Sequence, residues 1–373
     1  MSKCDVFIDL EAPSNRYRAG DVIRGRVRVD VNADVKCKGL DIVLCWHTHG
    51  RGNRTSQTPI GLVLFRGDWS AGTKASYPFE LELPNGPHSY HGHYLNVDWF
   101  LRARADIPWA IDPKAEREIL LGPGPKTDPA TYINVANGAH DVFAKRKGNK
   151  GFMSIFMLLF SLPFIGAGLF VMLLGLIGGP GMEAIFLVPF GGVFFLSGAV
   201  VFFFATRNKF AAMKLGDIRL AWPEGIVHPG DDIPISCQID ATKGLNGVNA
   251  TLVCRETVVS GSGTNRSTYR HDIFSRAIEL KQSAQGGKRL SLEGGFGIPD
   301  DSPVSFYASD NELSWIVVVH IDIARWPDWK RELYLDVRPK PPVQMLAAKA
   351  APPAPVAEKV VDVVDGFENT EAW

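Results

Sequence analysis

The stretch VIRGRVRVDV, from Val22 to Val31, alternates apolar and charged side chains along most of its length. Val27, Val29 and Val31 alternate with Arg26, Arg28 and Asp30. Side chains of successive strand residues point to opposite faces of a sheet, so a period of two indicates a strand with one buried and one wet face. This stretch predicts a half-buried β-strand.

Similar stretches follow on both sides of turn residues. Leu40 to His47 places Leu40, Ile42, Leu44 and Trp46 on one side, Tyr77 to Leu83 alternates in the same way, and Val97 to Ala105 forms a long period-two stripe. Proline, asparagine and glycine after Leu83 break the run. Short strands between turns, with no amphipathic helix among them, predict an antiparallel immunoglobulin-like β-sandwich over residues 1–144.

The sequence repeats this plan about 210 residues later, which predicts a second sandwich over residues 213–338. Four pairs of segments correspond: Ala19-Gly20-Asp21 with Pro229-Gly230-Asp231, Val43-Leu44-Cys45 with Leu252-Val253-Cys254, Leu83-Pro84 with Ile298-Pro299, and the strands that begin at Trp99 and Trp315. The chain is therefore expected to be mainly β, with one fold used twice.

Between Lys150 and Arg207 the chain carries a single charged residue, Glu183. A helix needs about 20 apolar residues to cross a bilayer, and residues 151–178 and 183–206 supply two such lengths. Gly178-Gly179-Pro180-Gly181 is the expected turn, because no helix runs through it intact. The pattern predicts a transmembrane helical hairpin over residues 151–206.

Basic residues flank the hairpin on both sides, among them Lys145, Arg146, Arg207 and Lys209. Loops rich in lysine and arginine stay on the cytoplasmic side. We therefore expect a multi-pass protein of the inner (plasma) membrane with both termini and both sandwiches in the cytoplasm.

Each predicted span carries two glycines seven residues apart, Gly168 with Gly175 and Gly191 with Gly198. Two helical turns separate the members of each pair, so each span has a small-residue stripe at which helix backbones can touch. The same stripes also suit self-association of two copies of the chain through their helices. Neither span contains an internal ionisable residue, which argues against a transporter or pump.

The order of motifs resembles the arrestin-like family. Tyr17 to Val27, Tyr77 to Pro84, Trp99 to Asp106 and Pro108-Trp109 are similar to the amino-terminal sandwich of these proteins, and PGDDIPISCQID (229–240), IPDDSPVSF (298–306) and IDIARW (321–326) to the carboxy-terminal one. The resemblance implies two sandwiches side by side in an adaptor that binds other proteins at membranes. The inserted hairpin departs from the family, and the segment after Pro341 lacks its Pro-Pro-x-Tyr signal.

Composition excludes several classes of function. The chain has 40 basic and 40 acidic residues, whereas nucleic-acid binding leaves a basic footprint, so no nucleic-acid partner is expected. No catalytic or cofactor-binding motif is present, which predicts a protein without enzymatic activity or cofactor. The five cysteines have no CxxC spacing and are expected to be reduced core residues.

A histidine cluster leaves one chemical alternative open. His47 and His49 share one strand face, and His91 and His93 are spaced in the same way before Trp99. Imidazoles at this spacing suit a metal ion. The alternative prediction is a metal site at His47, His49, His91 and His93, and the competing interpretation is that these are polar residues at strand ends.

Residues 339–373 are expected to form a disordered tail, because Ala347 to Val356 is rich in alanine and proline. Its end is acidic with spaced apolar residues, and Phe367 and Trp373 are the predicted partner-binding residues. The sequence as a whole predicts a membrane-anchored arrestin-like adaptor or scaffold. A structural subunit of a larger membrane complex and a metal-binding module are the alternatives.

Overall fold

The computed structural model describes residues 2–124, 127–128, 130–132, 150–178, 181–222, 225–240, 244–286, 289–341 and 357–361. Strands are the main secondary structure of the described residues, and two long helices lie between two groups of strands. The prediction of a mainly β protein with two long apolar helices is confirmed.

The strands before the helices form two facing sheets. One sheet has the order β1-β3-β6 and the other β2-β9-β8-β4-β5, with β7 paired to β8. Most neighbours are antiparallel, and β2 runs parallel to β9. The strands are β1 (Cys4–Leu10), β2 (Arg16–Arg18), β3 (Val22–Val31), β4 (Val35–Gly50), β5 (Ser56–Trp69), β6 (Lys74–Glu82), β7 (Tyr90–His91), β8 (Leu95–Asp106) and β9 (Lys114–Gly122).

The period-two pattern correctly predicts the core of this first sandwich. In β3, Val27 and Val29 are fully buried, and the neighbouring Arg26 and Arg28 are exposed. In β4, Leu40, Ile42, Leu44 and Trp46 are all at most 1% exposed. Burial of these apolar faces against each other holds the two sheets together.

Two helices follow, α1 (Lys150–Ile177) and α2 (Met182–Leu215). They contain segments that are long and apolar enough to cross a membrane, Phe156–Ile177 and Ala184–Thr206. Helix α2 continues nine residues beyond the predicted span to Leu215 and is followed by Gly216, whose φ of 64° favours glycine. Residues 179 and 180 of the predicted turn and the basic residues 145–147 lie outside the described residues.

The strands after the helices form a second pair of facing sheets. Their orders are β15-β16-β12-β10-β20 and β11-β19-β18-β13-β14, with β17 paired to β18. The strands are β10 (Ile218–Trp222), β11 (Ile226–Val227), β12 (Asp232–Ile239), β13 (Leu245–Ser260), β14 (Ser267–Ile278), β15 (Leu280–Gly286), β16 (Arg289–Gly297), β17 (Phe306–Tyr307), β18 (Asn311–Ile323), β19 (Trp329–Val337) and β20 (Ala357–Val361), with a short 3₁₀ turn at Gly263–Asn265.

The predicted internal repeat is visible in matching turns. Gly20 and Gly230 both have φ of 81°, a conformation that favours glycine. The amide of Gly20 donates to the carbonyl of Leu83, and the amide of Gly230 donates to the carbonyl of Ile298. The aspartate after each glycine caps its turn in the same way, because Asp21 accepts from the amide of Arg18 and Asp231 from that of His228.

The strand pairing corrects one detail of the repeat. Trp99 and Trp315 are equivalent, since each indole donates to a proline carbonyl twelve residues earlier. Trp46 pairs with Trp99, and Cys254 pairs with Trp315. Cys254 therefore corresponds to Trp46, and the sequence match of Cys254 with Cys45 is wrong by one residue, which in a strand exchanges the two faces.

Part of the tail is a strand. β20 pairs antiparallel with β10, with Ile218 opposite Val361 and Trp222 opposite Ala357. This differs from the predicted disorder over 339–373 at these five residues. The segment includes Val360 and Val361, which have high β-propensity, and it covers the edge of β10, whose other neighbour is β12.

Candidate functional site

A buried carboxylate joins the two sandwiches. Glu256 in β13 is fully buried and accepts three hydrogen bonds from the first sandwich. The donors are the hydroxyl of Tyr90 at 2.6 Å, the amide of His93 at 3.0 Å and the amide of Tyr94 at 2.7 Å. Burial and the bond to Glu256 raise the pKa of Tyr90. Buried polar groups need hydrogen-bond partners, so these three bonds hold segment 90–94 against Glu256 and the second sandwich.

A second polar contact lies at the turn between β4 and β5. The side-chain amide of Asn311, 2% exposed, donates to the carbonyl of Asn53 at 2.6 Å and to the hydroxyl of Thr48 at 3.1 Å. The side chain of Asn53 in turn bonds both the amide and the carbonyl of Gly261. We call the contacts of Glu256 and Asn311 with the first sandwich the junction.

Aromatic and cationic groups close the junction. The ring of His93 lies 4.2 Å from that of His271, measured between centroids. The guanidinium of Arg51 lies over Tyr269 at 3.9 Å, and Trp46 packs edge-on against Phe306. Each of these contacts links one sandwich to the other, and the buried cores of the two are continuous.

A cleft of about 640 Å³ opens beside the junction, between the two sandwiches. Ile273, Pro303 and Val304, all half-buried, contribute apolar surface from the second sandwich. The carboxylate of Asp300 in its wall is 77% exposed and pairs with Lys340 at 2.8 Å, and Asp301 is exposed. The first sandwich lines the other side with residues that include His88, Tyr90, Val97 and Leu121.

His88 is a largely buried titratable group in the wall of the cleft. Its Nε2 is buried with no hydrogen-bond partner among the described residues. Its ring packs 5.0 Å from that of Tyr132, and its backbone amide donates to the Tyr132 hydroxyl. Burial lowers the pKa of His88 to about 4, so the ring is neutral at physiological pH.

Two of the four predicted metal-binding histidines converge on one aspartate. Asp98 in β8 has a side chain that is only 8% exposed. Nε2 of His91 lies 2.7 Å from its Oδ1, and Nε2 of His49 contacts its Oδ2. Strand pairing explains this arrangement, because His49 and His91 flank Asn96 from opposite sides and residues 96 and 98 share a sheet face.

The other two histidines lie elsewhere. His47 stacks on Phe100 with a centroid distance of 4.6 Å, and desolvation lowers its pKa. His93 belongs to the junction. The structure instead adds Glu118 to the cluster, because ligand atoms of His91, Asp98 and Glu118 all lie within 4.8 Å of one another.

The predicted glycine stripes face the partner helix. A side chain at Gly168 would meet Gly191 and Phe195, and one at Gly175 would meet Leu187 and Val188. Added atoms at Gly191 and Gly198 would meet Gly168 and Ile165 respectively. All four glycines therefore lie where α1 and α2 approach most closely.

The remaining predicted residues are placed as follows. The five cysteines are free and buried, and burial raises the pKa of Cys4 to about 11 and of Cys237 to about 12. Phe367 and Trp373 lie outside the described residues.

The sequence did not predict a role for Glu256, Asn311 or Asp98. Asp98 nevertheless stands out as an acid inside the otherwise buried run Val97 to Trp99.

Comparison with known proteins gives a partial likeness. No protein-family model and no curated protein matches the chain. Among solved structures, the chain is similar to Spo0M, a sporulation control protein from Bacillus subtilis, at 19% sequence identity and a TM-score of 0.30. The match covers 34% of this chain and 52% of Spo0M, so it spans about half of that protein.

Proposed function

We propose that this protein is a non-enzymatic, membrane-anchored adaptor that binds an extended segment of a partner protein between its two sandwiches. The observation that carries the proposal is the cleft, because it is built from both sandwiches and the junction fixes their relative position. A preformed concave site with apolar walls and a few polar groups is the usual setting for specific binding.

The helices supply the anchor in this proposal. Only 11% of each apolar window is buried in the protein, and side chains such as Phe186 and Ile185 are more than 60% exposed. A core helix of a soluble protein buries its apolar surface, whereas most of the surface of these side chains is uncovered by the described residues and suits the hydrocarbon of a bilayer. Basic residues on both flanks favour a cytoplasmic position for both sandwiches.

The chemistry of the cleft indicates the kind of segment that fits. Ile273, Pro303 and Val304 offer apolar contact, and the carboxylates of Asp300 and Asp301 favour a basic side chain. We therefore expect an extended partner segment that carries apolar residues and at least one lysine or arginine. The resemblance of the motifs to arrestin-like adaptors supports the same function.

Site-specific photo-crosslinking of the full-length chain in native membranes tests the proposal. A photoreactive amino acid is placed at Asp301 in the cleft, at the exposed Lys74 on β6, and at Phe203 on α2, which is 52% exposed. Alkaline carbonate extraction of the same membranes tests the anchor, and we expect the protein to stay in the pellet.

The expected result is a discrete crosslinked protein from Asp301 that is absent from Lys74 and Phe203. Crosslinks from Phe203 alone would instead favour a structural subunit that assembles through its helices. Equal labelling at all three positions, or no product from Asp301, would contradict the adaptor proposal. Release of the chain by carbonate would contradict membrane integration.

A further inference from the structure

We propose that His91, Asp98 and Glu118 form a site for a divalent transition-metal ion of the zinc class on the outer face of the first sandwich. This site goes beyond the adaptor function: His91 lies at the rim of the cleft, but Asp98 and Glu118 are not among the residues that line it. It also differs from the set of four histidines that the sequence suggests.

The geometry brings three ligand atoms from three strands together. His91 belongs to β7, Asp98 to β8 and Glu118 to β9, and their ligand atoms lie within 4.8 Å of one another. Ligand atoms of a tetrahedral zinc ion lie about 3.3 Å apart. The 2.7 Å between His91 Nε2 and Asp98 Oδ1 must therefore open by about half an ångström, which the 55% exposed side chain of His91 permits.

His49 acts as a positioning residue rather than a ligand. Its Nε2 contacts Oδ2 of Asp98 and leaves Oδ1 directed at His91. Groups that hold a ligating carboxylate from behind orient it and raise metal affinity. The nearly buried Asp98 supplies negative charge, and the exposed Glu118 completes the set from the solvent side.

One imidazole nitrogen and two carboxylates suit zinc, cobalt, manganese or iron as divalent ions. When the metal binds, Nε2 of His91 donates its lone pair to the ion and the ring carries its proton on Nδ1. A fourth position faces solvent and takes water, as in open zinc sites. His91 is followed by His93 and Tyr94, whose amides bond Glu256, so an ion on His91 also restrains the segment that forms the junction.

Isothermal titration of the full-length chain with Zn²⁺ tests the site. The protein is purified in detergent through a tag without histidine, and it is stripped with a chelator before titration. We expect one equivalent of Zn²⁺ to bind with a Kd of about 10 µM or tighter. His91→Ala and Glu118→Ala, both at exposed positions, are each expected to weaken binding at least about 10-fold, and His49→Ala about 10-fold.

His320→Ala is the matched control. His320 also pairs with an aspartate, Asp328 at 2.9 Å, but the described residues place no second histidine or third ligand beside that pair. Its loss should leave the Kd unchanged. Binding that is weaker than about 1 mM, that survives both His91→Ala and Glu118→Ala, or that falls equally in His320→Ala would overturn the site and leave only a hydrogen-bonded His–Asp cluster.

Discussion

At the scale of single residues, His88 links stability to pH. Its pKa is lowered from 6.5 to about 4 in the folded protein. Between these pH values the histidine is protonated in the unfolded chain and neutral in the folded protein. Stability is therefore full above about pH 6.5 and is lost as the pH falls toward 4. We expect this residue to lower the free energy of unfolding by about 1–3 kcal/mol over that pH range, as measured by denaturant unfolding of the detergent-solubilised protein.

The variant His88→Gln should flatten that part of the pH profile, because glutamine does not titrate. His320→Gln removes a half-buried imidazole that pairs with Asp328 and lies outside the cleft, and it serves as the control. A His88→Gln profile as steep as that of the unmodified chain would show that other groups cause the dependence.

At the scale of elements, the approach of α1 and α2 depends on which glycine is replaced. A Cβ at Gly191 would lie 2.6 Å from the carbonyl oxygen of Gly168 and 2.7 Å from the amide of Met172, whereas one at the neighbouring Gly192 would meet nothing within 4 Å. Gly191→Leu should therefore destabilise the helix pair by about 1–3 kcal/mol. Gly192→Leu should have little effect.

Thermal unfolding in detergent, followed by the circular dichroism of the helices, measures the difference between these two variants. They have the same composition and lie one residue apart, so changes in hydrophobicity cancel. Equal midpoints for Gly191→Leu and Gly192→Leu would contradict the packing of the two helices described above.

At the scale of the whole molecule, the junction makes one unit of two sandwiches. Glu256→Ala leaves the hydroxyl of Tyr90 and the amides of His93 and Tyr94 without their acceptor. Buried donors without partners are costly. We therefore expect the free energy of unfolding to fall by about 2–4 kcal/mol and hydrogen exchange at residues 90–94 to become faster. Glu80→Ala, which removes only the exposed pair with Arg24, should change neither.

A single cooperative transition in the unmodified chain that separates into two transitions in Glu256→Ala would show that this carboxylate couples the sandwiches. An unchanged transition midpoint and unchanged exchange at 90–94 in Glu256→Ala would contradict that role.

The candidate site was only partly predictable from the sequence. The spacings of His47 with His49 and of His91 with His93 predicted a four-histidine cluster, because alternate residues of a strand share a face, and the structure brings only His49 and His91 to Asp98. Which strands become neighbours decides that Asp98 and Glu118 belong to the cluster and that His93 lies at the junction instead. That information is absent from any single strand, because Asp98 and Glu118 meet only through the register of β8 with β9.

By itself, the sequence determined the properties that repeat along the chain at short range. Strand periodicity placed Leu40, Ile42 and Leu44 in the core, the turn glycines Gly20 and Gly230 marked the internal repeat, and apolar length predicted the two helices. Only the tertiary structure decided how the repeats meet. The burial of Glu256 and Asn311, the cleft beside them and the addition of β20 to β10 result from contacts between residues far apart in the sequence, whose pairing follows from packing rather than from local pattern.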